Sequence, residues 1–559
     1  MSLSLRFCMW KKLGKFVLIL FIILLLLLTL LGLYVYSVSD LPEPRVKNSI
    51  LETQERKQGG NGFYTLKNNW IRKNRYGVYE MYLEGNAYDR GLAFGKLARE
   101  LIRYQELVFT NEIKRMVPSN RYRHFLKYVV GFMNRNLPDH VTREYQEEIF
   151  GVSKAASDEF NWIGTRYSRQ LNYHAAHDIG HALANLMLVG CSSFAAWDQH
   201  TNDGTLLLGR NFDFYSGEDF AKNKIIIFCK PEQGIPYCSV SWPGFCGVVS
   251  GMNLNGITVT INAARSDIPL GAATPVSLLA REILQYAGTL DEAIAIAKKR
   301  TLFVSESFMI GSGREHKAIL IEKTPKAFDI QEPDQQQLIC TNHYQGPTLK
   351  NQKLNQEQMQ QSASVYRFNR LRELLQQEPL SPSVAAGILR NPYGLQGKDI
   401  GLCNEKTMNQ FLAHHSVIFK PESLKLWVST SPWQEGAYVC YDLKKVFAIP
   451  VRDAVHEIDE VADSIASDAF MKTDSFRQLL TFRALRIKFH YKEKVEAASL
   501  YQSNPLYYDA LRMAGDQYVL NKQSDSAAMM YQKALQMEIA TEGERASIQK
   551  KWEQLNHGR

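Results

Sequence analysis

The sequence predicts an α+β protein, because its helical and strand patterns occur in separate blocks. Between residues 85 and 190, apolar residues recur at helical spacing between charges. Residues 191–450 contain short β-rich runs bounded by Gly, Pro or Asn, with helical segments near 275–300 and 362–377. Beyond residue 451 the chain is again helical and charged. We therefore expect a helical region, a strand-rich domain with inserted helices, and a helical extension.

Composition excludes several classes of protein. The 559 residues are 45% hydrophobic, 22% charged and 11% aromatic, which is typical of a globular chain. A disordered chain, a collagen-like fibre and a polytopic membrane protein are therefore excluded. Of the net charge of +9, residues 1–39 hold +4 with no acid, which leaves +5 over the rest. So small an excess of positive charge is not typical of nucleic-acid-binding proteins, and we expect no nucleic acid as a partner.

An apolar run without charge or proline extends from Phe16 to Tyr36. Its 21 residues match the roughly 20 that a helix needs to cross a bilayer. The basic residues before it favour a cytoplasmic N-terminus. Residues 1–39 are thus predicted as a cytoplasmic stub and transmembrane anchor, with everything after about Asp40 extracytoplasmic. The alternative is a signal peptide cleaved near Val35-Tyr36-Ser37, although signal apolar segments usually have only about 7–15 residues.

Composition also sets the expected domain boundaries. Residues 40–84 are polar and contain Pro42, Pro44 and a Gly59-Gly60 pair, which predicts a linker leading into a short aromatic strand region. The remaining boundaries give a helical region at 85–190, a strand-rich domain at 191–450 and a helical extension at 451–559.

The extension contains one copy of a tetratricopeptide-type pattern, with Ile539 in place of the motif's terminal proline. No clear second copy follows. Since such repeats are stabilised by stacked neighbours, the pattern favours a helical hairpin docked on the main domain, with a protein partner at these helices as the alternative. The residues at the motif's offsets are Leu511, Gly515, Tyr518, Ala527, Tyr531 and Ala534.

Cysteine and histidine spacing predicts no metal site and no cofactor. Eight cysteines form neither a disulfide scaffold nor a CxxC pair. Cys229, Cys238 and Cys246 are near one another, and pairing among them outside the cytoplasm is left open by the spacing. Three histidines share a helical face without the HExxH spacing, so packing near residue 190 is favoured over metal binding. They are His174, His177 and His181.

The Gly190-Cys191 pair opens the strand-rich block directly after a helical stretch. If the bond between the two residues is cut, Cys191 gains a free α-amino group beside its thiol. That amine has a reference pKa near ~8, close enough to neutral to act as a general base. One residue then supplies nucleophile and base, and the small Gly190 leaves its carbonyl open to the thiol. A buried structural cysteine is the alternative interpretation.

Polar side chains follow at strand ends and turns. Arg210 and Asp213 come about twenty residues after Cys191, where they either flank the thiol or form an ordinary surface ion pair. Ser250–Gly256 is a tight turn, in which the asparagines are explained by turn geometry. Later candidates stand at two strand ends and in a helix: Asn262, Asn342 and Arg367.

With these elements in this order, the chain resembles the autoproteolytic cysteine family of the N-terminal-nucleophile hydrolases, typified by the penicillin acyltransferase. Bile-salt (choloylglycine) hydrolases and penicillin V acylases are more distant relatives. The resemblance covers roughly residues 85–435, and Tyr88-Asp89-Arg90-Gly91 with Gly95 is similar to the propeptide region of that branch. It implies an αββα four-layer sandwich as the catalytic domain, preceded by a helical pro-region and cut between Gly190 and Cys191.

The resemblance also implies roles for individual residues. Cys191 is expected to be the nucleophile, Asp213 to hold its α-amino group and the substrate amide, and Arg210 to orient the thiolate and lower its pKa. The oxyanion-hole donors are expected to be Asn342 and Asn262. Arg367 is expected to brace the site, with Arg370 as an alternative register for this arginine. About 190 residues precede the cysteine, unlike the bile-salt enzymes, which favours the autoproteolytic branch.

The expected function is therefore that of an autoproteolytically activated cysteine amidohydrolase or N-acyltransferase, which forms a thioester on Cys191. An anchor at the membrane favours N-acyl amino acids or aminolipids as substrates. Phe212, Trp242 and Phe245 are candidates for an acyl pocket, or else belong to the core. The rival hypotheses are a catalytically silent, membrane-anchored interaction protein that uses its helical tail, and a lipid-directed ester hydrolase.

Overall fold

A computed structural model of the chain describes residues 3–60, 62–183, 190–267, 271–333 and 335–557. Its helices, in chain order, are α1 Leu3–Val38, α2 Ala87–Leu97, α3 Arg99–Met116, α4 Asn120–Met133, α5 Arg143–Ser153, α6 Arg166–Leu183, α7 Val276–Tyr286, α8 Leu290–Lys299, α9 Lys353–Gln361, α10 Ser364–Leu375, α11 Pro382–Leu389, α12 Leu443–Ala448, α13 Asp474–His490, α14 Ala497–Ser503, α15 Tyr508–Leu520, α16 Ser524–Leu535 and α17 Glu542–His557.

The strands confirm the mixed α+β class. They are β1 Lys57–Gly60, β2 Phe63–Leu66, β3 Asn69–Lys73, β4 Tyr79–Gly85, β5 Ser192–Asp198, β6 Gly204–Phe212, β7 Ile225–Pro231, β8 Tyr237–Ser241, β9 Ser250–Asn253, β10 Ile257–Ala263, β11 Glu306–Ser312, β12 Lys317–Lys323, β13 Phe328–Gln331, β14 Gln337–Cys340, β15 His415–Lys420, β16 Lys425–Ser429 and β17 Tyr438–Asp442.

These strands form two sheets. The larger has eleven strands in the order β1-β2-β3-β4-β7-β8-β9-β10-β11-β12-β13, and the smaller has six in the order β14-β5-β6-β15-β16-β17. Neighbours are antiparallel except for β4 and β7, which run parallel with Tyr79 opposite Ile225. Strand β5 begins one residue after Cys191 and lies between β14 and β6, so the Gly190-Cys191 junction precedes the second strand from one edge of the smaller sheet.

Because successive side chains of a strand point to opposite faces of the sheet, the apolar side chains of the two sheets are divided among three hydrophobic cores. On β7, Ile225 and Ile227 pack with the helices around α2 and α7, whereas Ile226 and Phe228 face the second sheet. On β5, Ala195 faces that same space between the sheets, and the residues on either side of it pack with α10 and α11. Each sheet is thus covered by its partner on one face and by helices on the other.

Residues 40–84 differ from the linker expected there. Strands β1 to β4 lie in the second part of this segment, from residue 57 onward, and extend the larger sheet through the β4–β7 pairing. The physical reason is a set of apolar side chains, among them Trp70, Ile71 and Met81, which are buried in the two cores. The strand-rich body therefore includes chain from both sides of residue 190.

The region expected as a pro-region is built around the crossing of α2 and α5. A Cβ at Gly91 would lie 2.0 Å from the backbone oxygen of Glu148, so only glycine fits there. Glu148 is buried and receives Arg90 at 2.6 Å and Arg281, from α7, at 2.7 Å. Although burial acts to raise it, the two arginines lower the pKa of Glu148 to about 2. This ion network joins the helices before residue 190 to the domain after it.

Helix α1 contains the apolar run, and its span Leu13–Val38 is long and apolar enough to cross a membrane. None of that span is buried within the protein, and an N-terminal signal sequence meets the same criteria. Its last turns contact α4, where Tyr34 and Phe132 meet at 6.2 Å between ring centroids and Gly131 abuts Ser39.

The helical extension is docked on the main domain. Helices α15 and α16 pair closely, since a Cβ at Gly515 would lie 2.5 Å from the ring of Tyr531. With α13, α14 and α17 they share one core with Cys403 and Phe411 of the main domain. The apolar faces of the tetratricopeptide-like pair are thus covered at least in part by the protein itself.

The described cysteines are all free thiols, including Cys229, Cys238 and Cys246, so the disulfide left open by their spacing is not formed. No cluster of potential metal ligands occurs in the part of the chain that the structure describes. His174 is buried and receives the Cys246 backbone N–H on Nε2 at 2.8 Å, which is a packing role. The side chains of His177 and His181 lie outside the described residues.

Candidate active site

Cys191 is 1% exposed, at the start of β5. Its Sγ lies 3.7 Å from Nη2 of Arg210 and 3.9 Å from the backbone oxygen of Asp213. The backbone N–H of Gly190 donates to that same Asp213 oxygen at 3.1 Å. The end of β6 is therefore tied to both residues of the junction.

Arg210 and Asp213 are fully buried, which excludes an ordinary surface ion pair. Strand β6 carries Arg210, whose Nη1 donates to the backbone oxygen of Val249 at 2.8 Å and to Oγ of Ser250, while Nη2 donates to the backbone oxygen of Ile261. These acceptors lie on or beside β9 and β10, in the other sheet. The guanidinium is thereby held against the thiol by both sheets.

Arg367, on α10, makes the densest set of contacts at the junction. Its Nη1 donates to the backbone oxygens of Gly190 at 2.7 Å and Cys191 at 2.8 Å, and to Oγ of Ser192 at 2.7 Å. Arg370 instead pairs with Glu373 at 2.9 Å, away from the junction. Of the two registers considered for the bracing arginine, the structure brings Arg367 to the site.

The two asparagines are near the junction, but their amides donate elsewhere in this uncut chain. Asn342 accepts from Nη2 of Arg367 at 2.7 Å and donates to the backbone oxygen of Ala263 at 2.9 Å. Asn262 accepts from Oγ of Ser193 at 2.8 Å and donates weakly to the backbone oxygen of Cys340 at 3.3 Å. An oxyanion-hole role for Asn342 or Asn262 remains a prediction.

Gln410 is a junction residue that no sequence pattern marks. Its Nε2 donates to the backbone oxygen of Gly190 at 2.9 Å and, more weakly, to Oδ2 of Asp213 at 3.3 Å. A Cβ on residue 190 would lie 2.5 Å from that nitrogen. The amide therefore occupies the space that a glycine at 190 leaves open. Gln410 lies in an irregular segment before β15, where no periodic pattern or motif marks it.

Burial controls the electrostatics of the site. It raises the pKa of the Cys191 thiol to about 11, although Arg210 acts to lower it. It also raises the pKa of Asp213 to about 7, against the lowering effects of Arg367 and Arg210. Among the described residues, Oδ1 of Asp213 has no hydrogen-bond partner. In the uncut chain the thiol is thus protonated at neutral pH, and beside it is a carboxyl group that titrates near neutrality.

The structure has an apolar cleft of about 60 Å³ that is open to solvent and that none of the junction residues lines. Trp242 and Phe245 line it, as expected of an acyl pocket, together with residues of α3 and α6. Phe212 is buried behind them, with its ring parallel to that of Trp242 at 6.4 Å, and the Arg210 guanidinium lies 4.3 Å from the Phe212 ring centroid. Two aromatic rings therefore connect the cleft with the arginine that contacts the thiol.

Replacing Arg367 by Lys is expected to block cleavage at residue 190. A lysine ammonium is a compact charge that does not reproduce the planar fork joining Gly190, Cys191 and Asn342. We expect at least a hundredfold slower cleavage, the usual effect of losing a preorganised donor. The measurement is the fraction of cut chain against time by gel electrophoresis. Arg370→Lys, on the same helix, is the matched control and should cleave normally; equal rates for both variants would contradict this placement.

Residues 200–430 match the family described as acyl-coenzyme A:6-aminopenicillanic acid acyl-transferase. Over this region the chain is similar to penicillin acyltransferase-like proteins, which confirms the resemblance drawn from the sequence. The match begins after Cys191, so the junction itself lies outside it.

Three curated proteins are similar in sequence to part of the chain. A protein of Archaeoglobus fulgidus described as uncharacterized is 27% identical over 273 residues, 46% of this chain and 45% of that protein. Protein dcd1B of Dictyostelium discoideum is 22% identical over 275 residues, which are 45% of this chain and 52% of that protein. The N-acylethanolamine-hydrolyzing acid amidase of Caenorhabditis elegans is 27% identical over 224 residues, which are 38% of this chain and 58% of that protein. The chain spans about half the length of these curated relatives.

Two solved structures are similar to part of the chain. An ortholog of that acid amidase from Caenorhabditis elegans has a TM-score of 0.31 and 17% identity, covering 42% of this chain and 93% of its own. A conjugated bile acid hydrolase from Clostridium perfringens has a TM-score of 0.30 and 14% identity. The similarity covers 45% of this chain and 93% of the hydrolase chain. Such scores are too low to add to the family match. The sequence relatives alone place the chain with proteins of amide hydrolysis and acyl transfer in general.

Proposed function

We propose that the protein is a self-cleaving cysteine amidohydrolase, which hydrolyses an amide-linked acyl group through a thioester on Cys191. The observation that carries this proposal is the convergence of Arg210, Asp213 and Arg367 on one buried Gly-Cys bond. A structural cysteine needs none of these charges, and burying unneeded charges is costly. The layering of helices, two sheets and helices supports the αββα architecture of the N-terminal-nucleophile class for this domain.

Cleavage changes the chemistry of the nucleophile. Once the Gly190–Cys191 bond is cut, the new α-amino group of Cys191 is a base with a reference pKa near ~8, beside a thiol that lacked one. We expect Asp213, which has an unpartnered oxygen in the described structure, to hold the protonated amine. Arg210 then stabilises the thiolate at 3.7 Å, as a nearby cation lowers a thiol's pKa.

The acyl cycle then takes two steps. The thiolate attacks the substrate carbonyl, the amine leaves with a proton from the Cys191 α-amino group, and an acyl thioester remains. Water attacks the thioester with the same amino group as base, which releases the acid and restores the thiol. Transfer to a second amine in place of water is the acyltransferase variant of this cycle. The name of the acid amidase among the relatives favours water as the acceptor.

The substrate is proposed to be an N-acyl amine with a long apolar chain. A cleft lined by Trp242 and Phe245 supports this choice, because each buried CH₂ contributes ~0.8 kcal/mol. The apolar helix α1 supports it as well, since a retained anchor with a cytoplasmic N-terminus keeps the domain at the outer face of the membrane, where lipid-borne amides diffuse in two dimensions.

Activity is expected to depend on acyl chain length through Trp242. For the cut enzyme, kcat/KM should rise at least a hundredfold from butyryl to myristoyl amides, because even part of the added chain buried at ~0.8 kcal/mol per CH₂ exceeds that factor. Trp242→Leu should reduce this preference while leaving butyryl turnover unchanged. The measurement is the rate of amine release across an N-acyl series, with the matching esters in parallel.

Trp427→Leu is the control for that series, because Trp427 is a buried tryptophan in another core and should leave the preference intact. Equal kcat/KM for butyryl and myristoyl amides would contradict the acyl cleft. Turnover of the esters without any turnover of the amides would contradict the amidase itself.

A further inference from the structure

We propose that Gln410 is a catalytic residue of the self-cleavage step, in which its side-chain amide and Arg367 together form the oxyanion hole for the Gly190 carbonyl. This inference rests on the proposed function, since it concerns the bond whose cleavage activates the enzyme. It assigns a specific pair of donors to that step, and one member of the pair comes from a segment with no recognisable motif.

The two donors converge on one oxygen. Nη1 of Arg367 is 2.7 Å and Nε2 of Gln410 is 2.9 Å from the Gly190 carbonyl oxygen. They come from α10 and from the segment before β15, so two distant parts of the chain meet at this carbonyl. Both side chains are buried, with Gln410 only 4% exposed. Buried, preorganised donors on a carbonyl that gains negative charge during attack are what an oxyanion hole requires.

The identity of residue 190 supports the same assignment. A Cβ there would lie 2.5 Å from Nε2 and 2.7 Å from Oε1 of Gln410, contacts that Cβ atoms essentially never make. Glycine at 190 is thus explained by the close approach of the Gln410 amide to the scissile bond.

The helical extension holds this amide in place. The backbone oxygen of Phe411 accepts from Nη1 of Arg483 at 2.5 Å, and that of Leu402 accepts from Nδ2 of Asn504 at 2.7 Å. Both donors belong to the extension, and Phe411 is buried in its core. The residue next to Gln410 is therefore anchored by helices that are far from it in sequence.

The step balances without any further reactant except water. The thiol of Cys191 attacks the Gly190 carbonyl carbon, and its proton passes to the Cys191 nitrogen by way of the Asp213 carboxylate. During the attack, the negative charge rests on the carbonyl oxygen between Arg367 and Gln410. The C–N bond then breaks to leave a thioester and a free amine. Water hydrolyses the thioester to a Gly190 carboxyl group and restores the thiol.

The test compares cleavage rates of newly synthesised full-length chains, followed as the fraction cut against time. Gln410→Leu is expected to slow cleavage about a hundredfold, the effect of losing one oxyanion donor. Gln434→Leu is the matched control, since Gln434 is equally buried but donates to the Leu389 backbone oxygen. It should cleave at the wild-type rate. Thermal melting of both variants in a Cys191→Ala background reports whether each one folds.

A second comparison includes Gly190→Ala, a variant that keeps Gln410 in the chain and so tests the inference even if Gln410→Leu does not fold. Gly190→Ala should displace the amide and slow cleavage about as much as Gln410→Ala, and the double variant should be no slower than either single one, since all three lose the same donor. Wild-type cleavage with unimpaired Gln410→Leu and Gln410→Ala would overturn this inference alone. A wild-type chain that is never cut would overturn the proposed function with it.

Discussion

Replacing Cys191 by Ala is expected to leave a single uncut chain and to abolish amide hydrolysis. Self-cleavage and turnover share one nucleophile, and no other described cysteine is in contact with Arg210 in the structure. The loss should reach the detection limit, because the remaining groups have no atom with which to form a thioester. The measurement is denaturing gel electrophoresis of purified protein, followed by an assay of amine release.

Cys440→Ala is the matched control for this experiment. Cys440 is a buried thiol on β17 of the same sheet, several strands away from β5. It should be cut and active like the wild type. An uncut Cys191→Ala chain with wild-type amidase activity would contradict the thioester mechanism.

Replacing Asp213 by Asn is expected to slow self-cleavage, since its carboxylate passes on the proton in that step, and to lower kcat/KM of the fraction that is cut by at least ten- to a hundredfold. The amide cannot balance the charge of the Cys191 ammonium, and a lost charge-assisted hydrogen bond costs ~1.5–3 kcal/mol. Asp203→Asn is the control, because Asp203 is an exposed carboxylate in the turn before β6 that pairs with Lys420. Unchanged kcat/KM in Asp213→Asn would reduce Asp213 to a structural residue.

The same substitution, which lowers activity, is expected to raise the stability of the uncut chain at alkaline pH. Burial raises the pKa of Asp213 from 3.8 to about 7, so the folded uncut chain favours the protonated form. The stability that this proton contributes is complete below about pH 4 and is lost as pH rises through about 7. In a Cys191→Ala background, Asp213→Asn should therefore be more stable than its parent at pH 8, by a few kcal/mol, and nearly equal to it at pH 4.

Denaturant unfolding at the two pH values measures this difference, and comparison with the parent cancels the titration of all other groups. A stability difference that is the same at pH 4 and pH 8 would show that Asp213 is not the titrating group. Greater stability of the parent at pH 8 would show that Arg210 and Arg367 outweigh burial.

Much of the strand-rich domain could be predicted from local pattern. The run Ile257–Ile261 lies inside β10, because a β-branched segment between two turns has few alternatives. Of the strands in residues 57–85, the sequence predicts only a short aromatic strand region at the end of a linker, since β1 is fully exposed and the segment is polar. Their place in the sheet depends on a parallel pairing of β4 with β7, about 145 residues away, which no local pattern reveals.

The residues of the candidate site also differ in how far local sequence pattern could predict them. Arg210 and Asp213 could be predicted because they lie on the strand and turn that follow Cys191 in the chain. Arg367 and Arg370 are three residues apart on one helix, so only packing distinguishes them. Gln410 had no signal, because its position depends on an irregular segment held by distant helices.

The two chains expected from cleavage should stay together. The parallel pairing of β4 with β7 and the buried network of Arg90, Glu148 and Arg281 both cross from one chain to the other. A native gel is thus expected to show one species, which separates into two only under denaturing conditions.

The most direct test of the account is intact mass measurement with N-terminal sequencing of the active, purified protein. The account predicts a chain of 369 residues that begins Cys191-Ser192-Ser193-Phe194, together with a partner chain that ends at Gly190. Active protein in which the bond between Gly190 and Cys191 is intact would contradict it.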